Sequence, residues 1–132
     1  MCQIFEDVLL EKLGLLQEGL QLRTPYNAIG QQFSITQVNQ TTITITLASG
    51  NPLQISLAAF ISAMYYLIRN GHDLTHPVDI ASNNNARSSG PLCHVTRMQN
   101  NNIRCINYVL PVLESFGYVG ISGQRPNSCW YI

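Results

Sequence analysis

Apolar side chains recur along this 132-residue chain in two rhythms, and the switches between them lay out most of its elements. Residues 2–20 place Ile4, Phe5, Val8, Leu9, Leu13, Leu16 and Leu20 at helical spacing, with a second, ragged set at Leu10 and Leu15. This predicts an N-terminal amphipathic helix within residues 1–20. Glu6 and Asp7 suit its positive N-terminal end, and Gly14 and Gly19 weaken its second half. The surplus leucines imply contacts on both sides, either deep in the chain's own core or against a partner chain in a homodimer. Residues 21–32, with Pro25, Asn27 and Gly30, read as a connector.

From Phe33 the period becomes two. Phe33, Ile35 and Val38, then Ile43, Ile45 and Leu47, then Leu53, Ile55 and Leu57 alternate with Thr, Ser and Gln. Turn residues at Asn39-Gln40 and Ser49-Gly50-Asn51-Pro52 separate the runs, which predicts a three-stranded antiparallel meander with one aliphatic face and one Thr/Gln face. The aliphatic face needs a cover, and the following helix supplies one. Ser56 is its N-cap, Leu57, Phe60, Ile61, Met64, Leu67 and Ile68 form its stripe, and Asn70-Gly71 end it. Meander and helix together occupy residues 33–71.

Residues 72–102 are less regular. A short strand at Val78 to Ala81, a polar, turn-rich run from Asn83 to Gly90 and a helix from Pro91 to Gln99 are expected. That helix would carry Leu92, Val95 and Met98 inward and His94 and Arg97 outward. The next stripe, Ile103, Ile106, Val109, Leu110 and Leu113, ends at Phe116-Gly117. Pro111 lies inside it, removes a ladder bond at about 3 kcal/mol, and predicts a kink or a split there. Tyr118 to Ser122 and Ser128 to Ile132 then form a hairpin around a five-residue loop with Arg125 at its tip. The sum is one α+β domain over residues 1–132: an N-terminal helix, a meander covered by a helix, a helical segment, and a C-terminal helix plus β-hairpin.

Charge sharpens this picture. Only 11% of residues are charged, against about a quarter in a typical soluble domain, and ten Gln and twelve Asn fill the gap. Low charge leaves little repulsion between copies, which favours a homodimer. The net charge of zero hides an asymmetry. Residues 1–20 hold Glu6, Asp7, Glu11 and Glu18 against Lys12, whereas residues 80–132 hold Arg87, Arg97, Arg104 and Arg125 against Glu114. The two ends either pair within one fold or separate a dimerising face from an anion-binding one. Cys2, Cys93, Cys105 and Cys129 include no close pair, and no hydrophobic signal segment opens the chain, so reduced thiols and a cytoplasmic location are expected. No apolar run approaches the length of a membrane span.

Catalytic chemistry finds little support. His72 and His76, with Cys93, His94 and Cys105 downstream, match no specific zinc spacing, and Pro77 disfavours a helical pair. A Mg²⁺-dependent nuclease needs clustered acids near a lysine, but Lys12 is the only lysine and lies far in sequence from Asp73 and Asp79. Ser122 lacks a strand-to-helix elbow, and neither Cys93 beside His94 nor Cys105 has a third group to complete a nucleophilic set. No glycine-rich phosphate loop is present. The expectation is a non-enzymatic chain with no cofactor and no metal.

What remains is the order of elements. Residues 57–132 run helix, short strand, helix, helix ending in Gly, and hairpin with a basic tip. The stretch from Ile106 to Ile132, with Leu110, Leu113, Phe116-Gly117-Tyr118-Val119, Arg125 and Trp130-Tyr131-Ile132, resembles the recognition helix and wing of a winged-helix DNA-binding domain. In that class the helix before the wing enters the major groove and the wing meets the backbone or minor groove. The resemblance implies duplex DNA as partner, base or phosphate contact by Arg104, Asn107 and Tyr108, a wing-tip contact by Arg125, and backbone contacts by Arg87 and Arg97. A second function class stays open, a non-enzymatic domain binding a small molecule or a protein. There the Thr/Gln face, or Tyr65, Tyr66, Tyr108, Tyr118 and Trp130, would line the site.

Overall fold

In the computed structural model the described residues are 3–25, 30–83, 85, 87, 89–124 and 126–132. The elements in chain order are α1 (Gln3–Gly14), β1 (Gln21–Arg23), β2 (Gln32–Val38), β3 (Thr42–Thr46), β4 (Pro52–Ser56), α2 (Leu57–Arg69), β5 (Val78–Asp79), α3 (Pro91–Met98), α4 (Ile106–Ser115), β6 (Val119–Ile121) and β7 (Ser128–Tyr131). They form an α+β fold with a four-stranded antiparallel sheet in the order β1-β2-β3-β4 and a three-stranded sheet in the order β5-β7-β6. Among the described residues, no helix is long and apolar enough to cross a membrane.

The first sheet is the expected meander with one strand added. β1 pairs with β2 from Gln21 opposite Ser34 to Arg23 opposite Gln32, in a stretch that reads as a connector because three residues are too few to display a period. A bulge between Ile35 and Gln37 explains why Val38 is out of phase with Phe33 and Ile35. The extra residue in β2 turns Val38 back to the inner side, opposite Ile43. Asn39 closes the β2–β3 turn with its own side chain, accepting at Oδ1 from the backbone N–H groups of Thr41 and Thr42.

Helix α2 starts where its sequence says. Ser56 accepts from the Ala58 N–H at 3.2 Å, and Gly71 follows the helix with a φ of +68° that favours glycine. Its stripe of Phe60, Met64 and Leu67 joins Leu9 and Leu13 of α1, Ile35, Ile43, Ile45 and Ile55 of the sheet, and Val109, Leu110 and Leu113 of α4 in one buried cluster. α2 therefore shares the work of covering the meander. The edge-on contact of Phe33 with Tyr108, 5.2 Å between ring centroids, brings α4 against the sheet as well.

Helix α4 runs unbroken from Ile106 to Ser115 with Pro111 inside, so the segment is not split. It begins three residues later than the apolar stripe predicts. Asn101 and Asn102, with φ of 54° and 59°, make a left-handed turn that Asn tolerates better than most residues, and this turn delays the helix. The short strand at Val78 pairs with β7, so the C-terminal hairpin belongs to a three-stranded sheet.

A buried amide adds a polar link between the two halves of the chain. Asn100 accepts at Oδ1 from the Ser56 N–H at 2.9 Å, while its Nδ2 points to the Ile103 carbonyl at 3.4 Å. Asn100→Ala leaves the Ser56 N–H without this partner at the start of α2. The substitution is expected to lower the unfolding free energy by about 1–3 kcal/mol in urea titration.

Candidate functional site

The residues singled out as nucleic-acid contacts occupy very different environments. Arg87 is exposed and Arg104 is half-buried. Arg125 lies outside the described residues. Arg97, expected to point outward, is only 4% exposed. Its Nη1 donates to the Asn83 carbonyl at 2.8 Å and its Nη2 approaches the Asn102 carbonyl at 3.3 Å, while the Asn102 N–H returns a bond to the Arg97 carbonyl at 2.8 Å. The guanidinium fork bridges two loops that are distant in sequence, a task suited to its planar set of donors. Arg97 is thus a structural residue and does not offer its charge to a phosphate.

Met98 is reversed as well, whereas Leu92 is buried and His94 exposed as expected. Leu92, Cys93, Thr96 and Arg97 face inward, Val95 is half-buried, and Met98 is 56% exposed. The helix is rotated from the purely apolar stripe because both polar residues arrive with their partners arranged. The Thr96 hydroxyl donates within its own helix, to the Leu92 carbonyl at 3.2 Å and the Cys93 carbonyl at 3.0 Å, and Arg97 reaches the loop carbonyls.

The helix that would read bases is enclosed. Ile106, Asn107 and Val109 to Leu113 are buried and Tyr108 is half-buried against Phe33. Glu114 and Ser115 are the exposed positions of α4, and an acid is a poor neighbour for a phosphate. Asn107, expected as a base contact, is 8% exposed and not on an open helix face. Its remaining surface belongs to the wall of a cavity of about 430 Å³. Asp79, Ser82 and Asn127 add polar groups to this cavity and Pro25 and Pro126 add flat apolar ones. The Asn107 amide forms no hydrogen bond to any described residue, and the Ser82 Oγ is buried without a partner. The cavity draws on four separate stretches of chain, a convergence that periodicity does not reveal.

Other chemical groups are committed locally. Asp73 accepts from the Thr75 hydroxyl at 2.7 Å and the Thr75 N–H at 3.0 Å, and these bonds hold its carboxyl below the usual carboxylate range. His76 sits on the same carboxylate at 3.3 Å, and His72 Nδ1 contacts the His76 carbonyl at 3.0 Å. Among the described residues, His, Cys, Asp and Glu form no group of three or more that could hold a metal ion. Cys93, Cys105 and Cys129 are free and buried. No family model matches the chain, and no curated protein or solved structure is significantly similar to it.

Two predictions concern these groups. Arg97→Lys keeps the charge but cannot span both carbonyls, and a loss of about 2–4 kcal/mol in denaturant unfolding is expected. Burial pushes the Cys105 and Cys129 thiols from an ordinary value of 9.0 up to about 12. Because the folded value is the higher one, their contribution is fully present below pH 9 and is lost as the pH climbs from about 9 toward about 12. The fall is about 1.4 kcal/mol per pH unit for each thiol. Urea midpoints measured from pH 8 to pH 11 are expected to drop less steeply in a Cys105→Ala/Cys129→Ala variant than in the natural chain.

Proposed function

We propose that this chain is a small non-catalytic DNA-binding or regulatory module, built on a winged-helix-like unit that spans residues 57–132 and carries the four-stranded sheet as an addition. The observation that supports the reading is the pairing of β5 with the start of β7, the central strand of its sheet: Val78 opposite Cys129 and Asp79 opposite Ser128. That pairing ties the hairpin to the three helices α2, α3 and α4, so a wing would be held rigidly beside them. The enclosure of α4 limits the mode of contact. Base reading by Asn107 and Tyr108 would require the sheet to move away, so the contacts fall to the phosphate backbone. Arg87 and Arg104 leave the two loops that Arg97 joins, and Arg125 occupies the hairpin loop in sequence. The acid-rich N-terminal helix is the proposed homodimer face, with Ile4 (76% exposed) and Val8 exposed on it and Leu15 (72% exposed) just past its end. Enclosed, reduced thiols fit a cytoplasmic setting.

Three phosphate contacts give a salt slope of about −3, and affinity is expected to be modest and independent of sequence. A fluorescence-anisotropy titration of the full chain against random duplex DNA at low and at physiological salt tests this. Binding at low salt, with Arg87→Ala, Arg104→Ala and Arg125→Ala each flattening the slope by about one unit, is the expected result. Absence of binding at low salt sinks the DNA reading. The cavity at Asn107 favours a second reading, a domain that binds a small molecule.

A further inference from the structure

The cavity at Asn107 combines features that a merely structural indentation does not need. Asn107 sits in the first turn of α4, more than nine-tenths buried, with an amide that no described residue satisfies. The amide is open to the cavity, where a ligand with a matching donor and acceptor can pair with it. Pro111, four residues on, has no N–H to give to the Asn107 carbonyl, so the backbone at this residue is short of its usual ladder partner too. Across the cavity, Ala81 holds a φ of 45° without being glycine. The conformation is fixed by the Gly90 N–H, which donates to the Ala81 carbonyl at 3.0 Å. A side chain at position 90 would meet the Ala81 Cβ at 2.6 Å, so only glycine allows this approach. The Ile80 N–H donates to the Asn127 carbonyl at 3.0 Å and holds the hairpin loop against the same wall.

The chemistry of the lining narrows the ligand. An asparagine side chain presents one donor beside one acceptor, and its natural complement is an edge with an acceptor beside a donor, such as the N6/N7 edge of adenine. Pro25 and Pro126 supply apolar surfaces against which a flat ring can lie, and the volume falls within the range of about 300–1,000 Å³ typical of small-molecule sites. Asp79, exposed, adds an acceptor for hydroxyl groups and disfavours a phosphate. We propose that this cavity binds a free, uncharged purine nucleoside, with the adenine edge on the Asn107 amide and the sugar toward Asp79. The proposed contacts use none of the arginines invoked for DNA.

The test uses the full chain labelled with ¹⁵N and titrated with adenosine, inosine and adenosine 5′-monophosphate. Adenosine is expected to shift the side-chain amide resonances of Asn107 and the backbone resonances of Asp79 to Ser82. Inosine, which replaces the N6 donor by an acceptor, is expected to bind about tenfold more weakly, and the monophosphate weaker than adenosine. Asn107→Ala is expected to weaken adenosine by fivefold or more, and Asp79→Asn to restore the monophosphate toward adenosine. The wild-type resonances report on the site even where a variant fails to fold. The proposal is overturned if millimolar adenosine leaves Asn107 unshifted, if inosine binds equally well, or if only an unpaired adenine within a duplex perturbs the site.

Discussion

Helix α4 is apolar around nearly its whole circumference, and a helix of that kind persists only where neighbours cover every side. Ten residues are too few for such a helix to hold itself in water, and Pro111 removes one of its ladder bonds. Tertiary packing therefore maintains it. α2 and α3 approach it from the helical half, β6 continues from its end, and β1 comes from the meander. The arrangement accounts for a three-residue strand with no pattern of its own. β1 is placed by its pairing with β2, and Phe33 on β2, pressed edge-on to Tyr108, fixes how the sheet meets the helix. An unbroken α4 is thus a consequence of enclosure, and the same enclosure withdraws it from the role of an open recognition helix.

What could be read from the sequence divides along the same line. α2, the three longer strands and the C-terminal hairpin announce themselves because their apolar residues keep a period and their ends carry caps and turn residues such as Ser56, Gly71 and Asn39. Even the phase slip at Val38 is legible once a bulge is admitted. α3 misleads because a stripe of Leu92, Val95 and Met98 looks complete without Arg97. An arginine turns inward when carbonyls wait for it, and the loops of Asn83 and Asn102 that supply them have no pattern from which their position could be foreseen. The cavity was illegible for a similar reason. Only folding brings Pro25, Asp79, Asn107 and Asn127 together. Asn107 itself was noticeable as a polar residue in an apolar helix, and a place four residues before a proline was a further signal.

A sparingly charged chain spends several of its cations on structure. Lys12 sits 4.9 Å from the centroid of the Tyr118 ring, Arg23 donates to the Gly30 carbonyl at 2.7 Å, and Arg97 is enclosed. The excess of arginine over acid in residues 80–132 therefore overstates the positive field that this part of the surface can present. Any recognition by phosphate contact is weakened in proportion, because the salt-sensitive part of such binding scales with the number of free cations.

Neutral amides are the abundant polar groups, and their uses can be told apart by whether they are satisfied. Asn39 closes a turn by accepting from the Thr41 and Thr42 N–H groups, and Asn100 joins two halves of the fold by accepting from the Ser56 N–H. Asn107 is as buried as Asn100 but makes no such bond. Beside it stand the partnerless Ser82 hydroxyl and the left-handed Ala81. Isolated departures from good local structure are common, but a folded chain gains nothing from three of them around one cavity unless something outside the chain completes them. Strain and unmet polar groups gather where a protein binds. By that reasoning the polar wall from Asp79 to Ser82, facing Asn107, is the part of the molecule whose stability has been traded for recognition.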